Sequence, residues 1–146
     1  MRTKKSPRTR YPVRRSELSN MRYRVYLGED TPTQALFIKG VLSQGGVLDI
    51  TTHGDGLDLL LSIQENPPDL VISDIVLPSL DGVALAKLLK FHEDTRHIPL
   101  ILVSALGEEY RQNLRDIGVD AFLPKPLSVP VLRDTVADLL TETEKR

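Results

Sequence analysis

Five groups able to do chemistry close four apolar runs of this chain. Asp74 follows Leu70-Val71-Ile72-Ser73, and a loop through Pro78 then leads to Asp81-Gly82. Glu29-Asp30 follows Val25-Tyr26-Leu27-Gly28, Ser104 follows Leu100-Ile101-Leu102-Val103, and Lys125 stands between Pro124 and Pro126 after Ala121-Phe122-Leu123. Three carboxylates brought together repel unless a cation joins them, and an all-oxygen donor set suits Mg²⁺ with several waters retained. A carboxylate can also attack phosphorus to form an acyl phosphate. An ammonium and a hydroxyl beside it would neutralise charge on the equatorial phosphoryl oxygens. Taken singly, each group has a plainer reading. Asp74 would be a solvated strand end, Glu29-Asp30 an acidic preference at a helix start, and Lys125 a surface lysine.

The elements that must position these groups alternate regularly. Continuous apolar runs suit parallel strands covered on both faces, and open α/β sheets carry their chemistry at the C-terminal strand ends. Strands are predicted at about 23–28, 47–52, 69–74, 99–104 and 120–123. Helices are predicted at about 32–44, 55–65, 82–91, 108–117 and 129–141. Thr31, Asp81 and Ser128 read as helix N-caps, Pro32 as a first helical residue, and Gly45-Gly46 and Gly118 as helix ends. The apolar set of the first helix is read as Ala35, Leu36, Ile38, Val41 and Leu42, and that of the second as Leu57, Leu60, Leu61 and Ile63. Five β/α repeats with short connections imply an α/β fold, a doubly wound parallel sheet with helices on both faces. Half of a β/α barrel, the competing architecture, would leave unpaired sheet edges.

The combination resembles the receiver domain of bacterial two-component response regulators, over about residues 22–141. The likeness rests on Glu29-Asp30, on Asp74 with its Asp-x-x-x-Pro-x-x-Asp-Gly spacing through Gly82, on Ser104-Ala105, on Phe122 and on Lys125-Pro126. It implies a flavodoxin-like five-stranded sheet of order 2-1-3-4-5, in which the ends of strands one and three flank the switch point. It further implies that Asp74 is the phosphoacceptor and that Mg²⁺ is held by Asp30, Asp74 and the backbone carbonyl of Val76, with Glu29 acting through water. Lys125 and Ser104 would contact the phosphoryl group, Phe122 would be the switch aromatic, and the Lys125–Pro126 peptide would be cis. Leu77 replaces a common Met before the proline, a volume-conserving change. Val76 and Leu106 are apolar where the family tunes water access, so a long-lived phospho-form is expected. Tyr110 and Arg111 fall on the helix-four face that the family uses for output.

Charge is divided unevenly. Residues 1–24 carry nine Lys or Arg against one acid, Glu17, while the remainder carry ten against nineteen. Residues 1–20 are expected to form a basic, disordered tail, with a start at Met21 as the alternative, and residues 21–146 the receiver domain. Nucleic-acid contact is not expected apart from that tail. The chain has no cysteine, no apolar segment near membrane-spanning length and no secretory signal, so a reducing, cytoplasmic setting is expected. His53, His92 and His97 are not spaced as ligands and read as surface residues.

The expected function is that of a single-domain response regulator. It would take a phosphoryl group from a histidine kinase or phosphotransfer protein and signal to an unidentified output protein by contact. It would not be an enzyme in the substrate-turnover sense. A phosphorylation-independent interaction module is the alternative. A flavin binder of the same fold is disfavoured, because Glu29-Asp30 would repel the cofactor phosphate.

Overall fold

The computed structural model describes residues 22–105 and 111–144. The chain alternates β1 (Tyr23–Gly28), α1 (Pro32–Leu42), β2 (Leu48–His53), α2 (Gly56–Glu65), β3 (Leu70–Asp74), α3 (Gly82–Phe91), β4 (Leu100–Ser104), α4 (Arg111–Ile117), β5 (Ala121–Pro124) and α5 (Val129–Glu144). The sheet is parallel throughout, in the order β2-β1-β3-β4-β5. This is the flavodoxin-like doubly wound arrangement that the sequence implied. The predicted tail, the start of the predicted fourth helix, Leu106 and Tyr110 lie outside the described residues.

The central strands are apolar on both faces because both faces are covered. Along β3, Leu70 and Ile72 pack with Ala35, Ile38 and Leu42 of α1 and Leu132, Val136 and Leu140 of α5. Val71, one residue out of phase, packs with Leu59 and Ile63 of α2 and Leu85 and Leu89 of α3. Strand parity therefore sends Asp74 toward the α1/α5 side, and Ser104, in phase with Leu100 and Leu102, toward the other.

Two helix faces differ from the sequence reading. In α2 the buried positions are Gly56, Leu59 and Ile63, whereas Leu57 and Leu61 are each about half exposed. Backbone contact decides this: a Cβ on Gly56 would sit 1.7 Å from the Leu80 carbonyl oxygen, so the Cβ-free position must face inward. Helical periodicity then turns Leu59 and Ile63 inward with it. In α1, Leu36 points outward beside the buried Ala35. Positive φ values at Gly46 and Gly118 turn the chain out of α1 and α4. At the N-terminal end of the sheet, far from the acidic groups, the Lys90 ammonium donates to Arg96 O, Ile98 O and Asp120 Oδ2 at 3.1, 2.8 and 2.9 Å.

Candidate functional site

The C-terminal ends of β1, β3, β4 and β5 come level, because Gly28 pairs with Ser73, Asp74 with Val103, and Ser104 with Pro124. Glu29 is 3% exposed, and its Oε2 accepts from Thr31 N at 3.1 Å. Thr31 makes no side-chain cap of its own, so Glu29 satisfies an orphan N–H at the start of α1 and is itself held in place. Asp30, the next residue, is exposed. Asp74 is 9% exposed. One carboxylate oxygen from each of Glu29, Asp30 and Asp74 lies within 4.8 Å of the others. That set of hard oxygen donors, with one member open to solvent, fits a Mg²⁺ ion that keeps part of its water shell.

Lys125 answers the negative charge. Its ammonium donates to Asp74 Oδ2 at 2.9 Å and to Gln34 Oε1 at 2.7 Å, and stands 3.6 Å from Glu29 Oε1. Its backbone N–H donates to Ser104 O at 2.9 Å, and the Lys125–Pro126 peptide is cis, as the resemblance implied.

The loop after Asp74 is fixed at both ends. Gly82 N donates to Ile75 O at 2.7 Å, and a Cβ on Gly82 would meet Asp74 O at 2.7 Å, so the Asp-Gly of the motif permits a backbone approach that no other residue would. Asp81 caps α3 by accepting from Ala84 N at 2.8 Å. In mid-loop, Gly56 N donates to Pro78 O at 3.0 Å, and the Ser79 hydroxyl donates to Asp55 Oδ2. Asp55 Oδ1 meanwhile caps α2 through Leu57 N and Asp58 N. These bonds, the Ser79 hydroxyl foremost, hold the Asp55 carboxyl below its usual range. Val76 rides on this loop with its side chain 66% exposed.

Ser104 is buried, and Phe122 lies on the same sheet face one strand away, in register with Leu102. The half-buried Phe122 ring carries the Arg111 guanidinium over it at 5.3 Å. A groove of about 610 Å³, lined by Thr33, Gln34, Phe37, Ile38, Lys125 and Leu127 among others, opens beside Lys125.

His53 corrects the surface reading given to it, whereas His92 and His97 are exposed. It is 8% exposed at the end of β2, tilted against Tyr26 at 5.3 Å between ring centroids, with Asp58 3.9 Å from Nδ1 and no partner for Nε2. Burial lowers its pKa, which Asp58 only partly offsets. Its strand-end position carried no sign of this, because β2 lies at the sheet edge and only the overlying α2 covers it. Gln34, Asp55 and Ser79 were also not singled out from sequence. Asp55 had a signal, an acidic residue directly before a helix. Gln34 had none, since its partner lies far along the chain.

Residues 25–137 match the family described as response regulator receiver domain. The polar-differentiation response regulator DivK of Brucella ovis is 35% identical over 119 residues, covering 80% of this chain and 94% of its own. Among solved structures, the receiver domain of a signal transduction histidine kinase from Syntrophus aciditrophicus aligns with a TM-score of 0.78 at 32% identity, over 85% of this chain and 94% of that one. The receiver domain of a Pseudomonas aeruginosa sensor histidine kinase aligns with a TM-score of 0.72 at 25% identity, over 82% and 98%, and was solved with a magnesium ion coordinated in its active site cleft.

Proposed function

The chain belongs to the response regulator receiver family, and from that premise we propose that Asp74 accepts a phosphoryl group from a phosphohistidine on a histidine kinase or phosphotransfer protein. The observation that carries this reading is the placement of the Asp74 carboxylate, nearly buried at a strand end, 2.9 Å from the Lys125 ammonium and grouped with two further carboxylates. A carboxylate oxygen of Asp74 attacks phosphorus, the new O–P bond forms as the P–N bond to imidazole breaks, and the leaving imidazole takes a proton from solvent. No general base is required, since a carboxylate attacks in its ionised form. Lys125 neutralises one phosphoryl oxygen as the charge moves outward from Asp74, and the Ser104 hydroxyl, which strand parity directs to the other face of the sheet, turns over the end of β4 to donate to another.

Asp30, Asp74 and the Val76 carbonyl would hold Mg²⁺, with Glu29 acting through water. Bound there, the ion would neutralise charge on the phosphoryl oxygens. Phe122, on the same face as Ser104, follows the hydroxyl and alters the surface around Arg111, where an output protein reads the change. Each transfer consumes the protein's own acceptor, so the chain is a signalling substrate rather than a turnover enzyme. A cytoplasmic setting belongs to the same proposal. Among the described residues no helix is long and apolar enough to cross a membrane.

The test is incubation with acetyl phosphate, with and without Mg²⁺, beside an Asp74→Asn variant, followed by intact-protein mass spectrometry. A Mg²⁺-dependent gain of one phosphoryl group, absent from the variant, is expected. No gain in the wild type would overturn the proposal in favour of a phosphorylation-independent interaction module.

A further inference from the structure

The shortest of the Lys125 contacts is not to a carboxylate. Its ammonium donates to Gln34 Oε1 at 2.7 Å, to Asp74 Oδ2 at 2.9 Å, and faces Glu29 Oε1 only at 3.6 Å. An ammonium has three donors on a flexible four-carbon stem, and such a stem points reliably only when its head is held in more than one direction. From this geometry we propose that Gln34 is a positioning residue for phosphoryl transfer, holding the Lys125 ammonium at the acceptor while charge leaves Asp74.

The inference rests on the phosphoacceptor reading of Asp74. When Asp74 becomes an acyl phosphate, its carboxylate loses the charge that attracted Lys125, and the ammonium must move to a phosphoryl oxygen. Glu29, whose Oε1 stands 3.6 Å away, remains as a carboxylate that draws the ammonium back by charge. Gln34 is neutral, so it fixes direction without drawing Lys125 away from the developing anion. Its own position is set by α1, whose first turn follows directly from the Glu29–Thr31 bond, with Ala35 beside it buried in the core. Gln34 is exposed, so water competes for the same ammonium, and the contribution is one of orientation rather than stability.

Gln34→Met keeps the length of the side chain and removes the acceptor on an exposed helical face, so the fold should be unaffected. Losing the order of one long side chain corresponds to a roughly twofold to tenfold slower Mg²⁺-dependent phosphorylation by acetyl phosphate. Two readouts separate positioning from disruption. Mg²⁺ affinity, followed by backbone amide shifts, should stay at the wild-type value, and ¹⁵N relaxation of the Lys125 ammonium should report greater mobility in the variant. A wild-type rate in Gln34→Met overturns the inference. So does a slower rate with weakened Mg²⁺ binding, or a slower rate with the ammonium as ordered as before. If the wild type itself takes up no phosphoryl group, the phosphoacceptor reading fails, and that outcome is distinct from all of these.

Discussion

Neutralising Lys125 as Lys125→Met should tighten Mg²⁺ binding while slowing phosphoryl transfer, two effects of opposite sign from one substitution. The ammonium lies 2.9 Å from Asp74 Oδ2 and 3.6 Å from Glu29 Oε1, so it competes for the carboxylates that would hold the metal. A unit charge and a divalent charge about 5 Å apart repel by about 1.7 kcal/mol in bulk water, a factor of roughly 15 in affinity. With a screening length of about 10 Å at 0.1 M salt, that falls to about 1 kcal/mol, or roughly fivefold. Mg²⁺ titrations followed by amide shifts should therefore give a Kd about five- to fifteenfold lower in the variant, with the larger factor at low salt. Phosphorylation by acetyl phosphate at saturating Mg²⁺ should fall by about 10² to 10³, the loss typical when one donor to a developing oxyanion is removed. An unchanged or weakened Mg²⁺ affinity would refute the reasoning, because it would mean that Lys125 and the metal do not share these carboxylates.

Other perturbations probe the scaffold and the fate of the phospho-form. Lys90→Met leaves Arg96 O and Ile98 O without their donor and Asp120 without its cation, and should destabilise the fold by about 2–4 kcal/mol in urea denaturation while leaving Mg²⁺ affinity unchanged. His53 has a pKa lowered by burial, so between that value and the unfolded 6.5 the unfolded chain binds more protons. Its contribution is thus present above pH 6.5 and lost as pH falls. Urea midpoints at pH 7.5 and 5.5 should converge in His53→Phe relative to wild type, and an unaltered difference would exclude His53 as the cause. Val76, apolar and exposed on the loop after Asp74, cannot orient an attacking water. Val76→Asn should therefore shorten the lifetime of the phospho-form severalfold, and an unchanged lifetime would show that water access is set elsewhere.

The strand ends were legible because strand identity and strand polarity are local properties. A buried run such as Leu70-Val71-Ile72 admits little else, and parallel connectivity then sends Glu29, Asp30, Asp74, Ser104 and Lys125 to one edge. The face of α2 was not legible. Leu57, Leu59, Leu60 and Leu61 give the helix apolar residues on several sides, and the choice among them is made by the approach of Gly56 to the Leu80 carbonyl. Gln34 and Lys125 are 91 residues apart, so their contact leaves no local pattern. The burial of His53 beneath α2 likewise follows from packing across elements, and the Asp55–Ser79 link joins two loops that meet only once the sheet has formed.

The most direct test of the acceptor is chemical. After incubation with acetyl phosphate and Mg²⁺, reduction with borohydride converts an aspartyl phosphate to homoserine, which peptide mass spectrometry can locate. Homoserine at position 74 and at no other carboxylate is the expected result. Homoserine at Asp30 or another aspartate, or 5-hydroxynorvaline (the corresponding product from a glutamyl phosphate) at Glu29, with Asp74 intact, would contradict the assignment of Asp74 as the group that takes the phosphoryl from its donor.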